Sequence, residues 1–408
     1  MSQSLCILGR QPGLGRAELE SLYGNDGLRA VGDEALLIDK EPGAIAFERL
    51  GGTIKLCRVL TKLDTTNWQQ IETYLAETIP QHLDTLPDGK LQLGLSVYGL
   101  PIAAKQLLAS GLTLKKIIKN TGRSVRLIPN KEPALNSAQV LRNSLLGPLG
   151  WELVFVRDGN KTILAQTVAE QDIDAYAARD QARPKRDARV GMLPPKLAQI
   201  IINLAHPGHP PKFTAEHADD RPTAASLSGL LDPFCGTGVL LQEAFLMGFT
   251  VIGSDIEQGM IDYTAENLRW LRQTYNVLPP SATSLFPADA TQYTWPMPFY
   301  TIAAETYLGR PFSALPAPDV LQHVIQDVDT IHKKFLHNIT SQTKSGFRMC
   351  LAVPAWKTPN GFKHLPVLDH LDELGYTRMS FVHAHTGELI YHRPGQIVAR
   401  ELIVLIRK

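Results

Sequence analysis

Apolar and polar positions along this chain follow two rhythms, a period of two that marks strands and a period near 3.6 that marks helices. The first 90 residues give a strand at 5–9, a helical stripe at 17–22, and alternating runs at 35–38 and 44–47, together a small α/β unit of its own. From Leu91 the pattern repeats in kind. It predicts a strand at 91–98, a basic helix at 103–120, a strand at 124–128, a helix at 136–145, and strands at 151–157 and 162–168.

Residues 180–192 are basic and carry Pro184 and Gly191, which reads as a linker. Pro194 and Pro195 then open a helix whose apolar residues recur at helical spacing up to Ala205, and a Pro- and His-bearing loop covers 206–222. Beyond Leu227 strand and helix alternate regularly. Strands are expected at 230–231, 250–254, near 286–288, at 300–304 and at 348–354, with helices at 238–247, 259–275, about 319–340 and 366–373. Further strands are expected near Phe381 and at 396–406, and Leu389 to Tyr391 pairs with the last of these through Arg393-Pro394-Gly395 as an antiparallel hairpin on the sheet edge. Such alternation implies a doubly wound, mostly parallel sheet. The expected architecture is α/β, with an N-terminal ferredoxin-like α/β region at 1–85 and a second α+β region at 86–172. A linker with a connecting helix spans 173–225, and a Rossmann-like domain covers 226–408.

Composition narrows the class. With 44% hydrophobic and 20% charged residues, 408 residues suit two or three packed domains and not a disordered chain. No apolar run is long enough to span a bilayer, and the N-terminus lacks a signal-peptide layout, so a cytoplasmic location with no membrane partner is expected. The four cysteines form no CxxC pair, and His383 with His385 has no third ligand at a suggestive distance, so no metal is expected. The net charge of +1 conceals an asymmetry: residues 88–170 hold eleven Lys and Arg against five Asp and Glu, while 1–87 hold eight against twelve. A polyanion partner for the middle of the chain is one reading, and a solvated face is the other.

Candidate chemistry lies at the strand-to-helix turns, where open parallel sheets bind ligands. The first turn is Asp232-Pro233-Phe234-Cys235-Gly236-Thr237-Gly238. Its glycines permit positive φ and close approach of a ligand, and the helix that follows offers free N–H groups to a carboxylate. Asp255, followed by Ile256, ends the second strand, where an acid can accept both hydroxyls of an adenosine ribose. Asp289, followed by Ala290, ends the third, within reach of an adenine amino group. An acid at Asp255 also suits NAD, but Gly236-Thr237-Gly238-Val239-Leu240-Leu241 has no third glycine for the GxGxxG fingerprint. The set points to S-adenosylmethionine as cofactor.

Several segments carry a resemblance. Residues 186–198, 231–238, and 93–99 with the basic helix and Gly122-Arg123-Ser124-Val125-Arg126 resemble the THUMP-containing tRNA guanosine-N2 methyltransferases that act on guanine 10. The resemblance covers residues 1 to about 300 in layout and is specific near 180–256. It implies that 86–172 is a THUMP-like RNA-binding domain, that tRNA is the partner, and that some relatives need a small activating subunit. Lys115, Lys116, Lys119, Arg123, Arg126 and Arg142 are then the expected phosphate contacts, since cations displace counterions whatever the RNA sequence.

The same family carries Asp or Asn, two prolines, and Tyr or Phe at the end of the fourth strand. Two acceptors on the amine hydrogens localise a lone pair otherwise spread into the ring, while the aromatic residue stacks on an extruded base. Here that place holds Glu305-Thr306-Tyr307-Leu308, with no prolines. One reading is catalytic: Glu305 and the Thr306 carbonyl accept from the amine, and Tyr307 stacks on the base. Another is an inactive cofactor- and RNA-binding protein of the same fold, and a DNA amino-methyltransferase is a third.

Overall fold

The computed structural model describes residues 3–187, 193–206, 229–275, 283–296, 298–312 and 314–408. The chain divides into two compact units, one of Met1–Arg16, Asn25–Glu48 and Gly52–Ala175, the other of Ala17–Gly24, Arg49–Gly51 and Tyr176–Lys408.

Along the first part of the chain run β1 (Ser4–Leu8), α1 (Pro12–Tyr23), β2 (Leu28–Val31), β3 (Ala35–Ile38), β4 (Thr53–Leu63) and α2 (Trp68–His82). They are followed by β5 (Leu91–Tyr98), α3 (Ala104–Asn120), β6 (Val125–Leu127), α4 (Ser137–Arg142), β7 (Gly150–Asp158) and β8 (Lys161–Glu170). The eight strands form one sheet in the order β2-β3-β1-β4-β8-β7-β5-β6. The expectation that the first stretch is a unit of its own is therefore corrected. Strand β4 offers one edge to β1 and the other to β8, so 1–85 and 86–172 share a sheet. Trp68, Ile71, Leu75 and Ile79 lie on one face of α2 and bury against Leu91, Leu93 and Leu95 of β5.

Residues 44–47 are not a strand. Ile45 N–H bonds back to the Pro42 carbonyl and Phe47 N–H to that of Ile45, so local 3-10 turns use the groups a ladder would need. The helix expected at 136–145 stops at Arg142, and Ser144 takes a φ of 54°.

The chain continues through α5 (Ile173–Gln181), α6 (Pro195–Ala205), β9 (Gly229–Asp232), α7 (Val239–Leu246), β10 (Thr250–Asp255), α8 (Gln258–Tyr275) and β11 (Thr283–Pro287). Then come β12 (Thr301–Glu305), α9 (Pro318–Thr340), β13 (Arg348–Thr358), β14 (Gly361–Lys363), β15 (Tyr376–Arg378), β16 (Ile390–Tyr391) and β17 (Val398–Arg407). The expected linker is packed where it is described. Asp180 and Gln181 end α5, Arg183 is buried, and the Lys185 backbone exchanges two 2.9 Å bonds with the Asn267 amide. Residues 188–192, and all of the 206–222 loop except His206, lie outside the described residues.

The second sheet runs β11-β10-β9-β12-β13-β17-β15, with the first five strands parallel and β17 antiparallel to both neighbours. Strand order reverses between β9 and β12, the switch point at which a ligand crevice opens in such sheets. Leu321, Val324, Ile325, Val328 and Phe335 of α9 bury in one core with Leu351, Val353 and Ile403 of the sheet. Fold class is thus the Rossmann-like α/β arrangement the alternation implies.

Three local expectations fail for tertiary reasons. The β16–β17 hairpin exists, but β17 lies inside the sheet between β13 and β15 and not at its edge. The helix at 366–373 shrinks to a 3-10 turn at Pro366–Asp369, whose Val367 N–H donates to the Asp329 carboxylate at 2.6 Å. Phe381 is not in a strand, because the N–H groups of Val382 and His383 bind the Glu20 carboxylate at 2.8 Å each. Among the described residues no helix is long and apolar enough to cross a membrane.

Candidate functional site

Strand β9 delivers Asp232 to the carboxyl edge of the sheet, and the chain turns over Pro233 to Gly238 into α7. Gly236 has φ +51° with nothing within 4 Å of where a Cβ would sit, so the backbone there faces open space. Gly238 has φ +82°, and a Cβ on it would stand 2.8 Å from both Cγ2 and Oγ1 of Thr264. Helix α8 secures the turn from behind. The Thr264 hydroxyl donates to the Gly236 carbonyl at 2.7 Å, and the Asn267 amide donates to that of Thr237 at 2.8 Å. From β10, the Asp255 carboxylate accepts from the N–H groups of Gly236 and Glu257, each at 3.0 Å.

This turn forms one wall of a cavity of about 520 Å³. Asp232, Pro233, Phe234, Gly236 and Thr237 line it, as do Asp255, Ile256, Asp289 and Ala290. Gly238 does not; its part is the left-handed conformation that starts α7. Glu305, Thr306 and Tyr307 line the same cavity from the end of β12. Both candidate sets therefore border one space.

The cavity is acidic. Burial pushes the Asp232 carboxyl well above its ordinary range, against a 3.1 Å bond from Phe234 N–H, and the charges of Asp255 and Glu305 push it further. Burial also raises Asp255, although three backbone N–H groups oppose the shift. Asp289 moves the other way. The Thr291 N–H, at 2.9 Å, is the main reason its carboxyl titrates below the usual range, with the Thr291 hydroxyl and Gln292 adding to it.

Two residues at the β12 end have partners that sequence reasoning missed. The Glu305 carboxylate is ion-paired through one oxygen with Arg400 Nε, from β17. Thr306 is buried; its N–H donates to the Ala352 carbonyl at 3.1 Å, and its Oγ1 lies 2.7 Å from His332 Nε2. His332 Nδ1 is 2.8 Å from the Val328 carbonyl, which can only accept, so that nitrogen carries the proton and Nε2 accepts from the Thr306 hydroxyl. Burial holds the imidazole neutral, with its pKa lowered to about 4. Lys334, two residues further along α9, also lines the cavity. The sequence carried no signal for any of these partners, since the pairs span 26 and 95 positions.

The sequence is similar to proteins curated as tRNA (guanine(10)-N2)-dimethyltransferases. It is 30% identical over 178 residues to the one from Methanothermobacter thermautotrophicus, covering 43% of each chain. It is 47% identical over 49 residues to a probable one from Methanothermococcus thermolithotrophicus, covering 12% of this chain and 30% of the relative. The matched stretch thus spans less than half the length of these relatives. No family model matches. Among solved structures, TrmN from Thermus thermophilus superposes over 100% of both chains with a TM-score of 0.52 at 15% identity, which is a likeness of fold.

The candidate phosphate contacts lie in the first unit. Lys115, Lys116 and Lys119 are on α3, Arg126 on β6 and Arg142 on α4, and all but the half-buried Lys115 are exposed. Arg123 differs from expectation. Its guanidinium donates to the carbonyls of Leu86 at 3.1 Å and Pro87 at 2.9 Å, which ties down the loop before β5.

Proposed function

We propose that this chain transfers a methyl group from S-adenosylmethionine to the exocyclic N2 of a guanosine in tRNA. The observation that carries the reading is one cavity at the sheet's switch point, lined on one side by the glycine turn with Asp255 and Asp289 and on the other by Glu305, Thr306 and Tyr307. The sequence relatives favour the same substrate.

The residues present fit the cofactor. Its sulfonium and ammonium are cationic, and the cavity holds Asp232, Asp255 and Glu305. The Asp255 carboxylate, held in place by backbone N–H groups, keeps accepting capacity for a ribose hydroxyl. The open backbone at Gly236 leaves room for close approach. When bound, S-adenosylmethionine supplies an electrophilic methyl group.

The chain's own residues do the rest by positioning. Arg400 anchors one oxygen of Glu305, and the other accepts a hydrogen from the target amine and takes its proton afterwards. The Thr306 carbonyl accepts the second hydrogen. Tyr307, 46% exposed at the cavity, stacks on the base. In place of the family's prolines, the bonds from Thr306 to Ala352 and His332 hold this segment still. In the first unit, Lys115, Lys116, Lys119, Arg126 and Arg142 contact phosphates, and 86–172 serves as the THUMP-like module.

Incubation with labelled S-adenosylmethionine and unmodified tRNA, followed by nucleoside analysis, tests the reading; absence of label with every tRNA overturns it. The Arg400 ion pair on Glu305 favours a second reading, binding without transfer, which calorimetric cofactor binding without turnover would establish. Parallel reactions with duplex DNA, and with added cell extract as a source of an activating subunit, separate the remaining alternatives.

A further inference from the structure

Four exposed cations of the second unit, Arg310, Lys357, Lys363 and Arg393, sit in segments that topology brings to one edge of the sheet. Glu305 pairs with Ala352 in the parallel β12–β13 ladder, so Lys357 lies five residues beyond it, past the carboxyl end of β12. Strand β14 folds back on that extension, with Lys363 opposite Trp356. Strand β16 runs with β13, because both are antiparallel to β17, so the turn holding Arg393 emerges at the same edge. Arg310 follows directly on the cavity-lining Tyr307, Leu308 and Gly309. This is the edge at which Asp232, Asp255 and Glu305 end their strands.

Two further observations distinguish this rim from an ordinary solvated face. Its three segments, residues 306–318, 354–364 and 389–400, contain no Asp or Glu. Three of the cations also lie over aromatic rings: Lys357 is 4.7 Å from the Phe362 centroid, Arg310 5.4 Å from Phe312 and Arg393 5.8 Å from Tyr391. Cations interleaved with aromatic rings are what a nucleic-acid strand engages, through its phosphates and its bases respectively.

We propose that this rim binds the phosphodiester backbone of the RNA beside the target nucleotide. The choice of RNA rests on the methyl-transfer reading above. The rim belongs to the second unit, whereas the α3 cations belong to the first. The cations neutralise phosphates and release counterions, so binding here is steeply salt-dependent.

The test measures the affinity of the full chain for an unmodified tRNA transcript between about 50 and 200 mM salt. The variants are Lys357→Gln/Lys363→Gln, Arg393→Gln, and a control, Arg269→Gln/Lys344→Gln, which removes two exposed cations away from the rim. The expected result is a log–log salt slope shallower by about 2 for the first variant and about 1 for the second, with the control unchanged. Unchanged slopes in both rim variants, an equal change in the control, or no transcript binding by the parent protein would each overturn the proposal. Methyl transfer from labelled cofactor is scored separately, so a failed rim and a failed methyltransferase reading give different results.

Discussion

Replacing His332 by Gln removes a buried imidazole from the pair that holds Thr306, and pH is the variable that exposes its contribution. Both ring nitrogens have partners in either charge state: on protonation Nε2 would donate to Thr306 Oγ1, whose own proton can turn to the Ala352 carbonyl 3.1 Å away. Burial is therefore what opposes the charge, and it lowers the pKa from 6.5 to about 4. Between those values the unfolded chain binds a proton that the folded chain refuses. The stabilisation is complete above pH 6.5 and is lost as pH falls towards 4. At about 1.36 kcal/mol per pH unit the loss reaches at most about 3 kcal/mol. Urea midpoints of the wild type and His332→Gln, measured at neutral pH and at about pH 4.5, isolate this contribution because other titrating groups cancel in the difference. The wild type should lose more stability on acidification than the variant. Equal losses would refute the assignment of a neutral, buried His332.

Gly238→Ala imposes a left-handed residue, costing about 1–2 kcal/mol, and crowds the Thr264 hydroxyl off the Gly236 carbonyl for about 1 more, so thermal unfolding should fall visibly; an unchanged midpoint would contradict the geometry. Asp255→Ala should weaken S-adenosylmethionine binding about 10- to 100-fold by calorimetry, the worth of one or two bonds to a charged acceptor, and retained affinity would remove it from the site. Arg400→Met should lower turnover while leaving cofactor affinity intact, because Glu305 loses its anchor and not its place; full turnover would show that the ion pair is dispensable.

What was legible in the sequence is what local chemistry specifies. The glycine turn and the acids at successive strand ends could be read because each needs a particular residue type at a fixed distance from a strand, and all of them line the cavity except Gly238, which shapes the turn. Partners from distant elements could not be read. Arg400 reaches Glu305 only because β17 inserts antiparallel beside β13, and His332 meets Thr306 only because α9 packs across the sheet. The same non-local bonds defeated the local predictions at 366–373 and at Phe381, where Asp329 and Glu20 take the backbone N–H groups that a helix or a ladder would have used. Arg123 read as a phosphate contact because nothing in its neighbourhood of sequence reveals the two carbonyls it binds.

The position of β17 also sets a timetable for synthesis. Glu305 leaves the ribosome 95 residues before the arginine that neutralises it, a lag of roughly 5 to 20 s at ordinary elongation rates. Once Arg348–Thr358 has been made, β13 has an open edge where β17 belongs, and the carboxylate lacks its Arg400 counter-charge until that strand follows. A growing chain that already displays its glycine turn therefore still lacks part of the cavity's charge pairing, which is complete only when one of the last strands to be made inserts between β13 and β15.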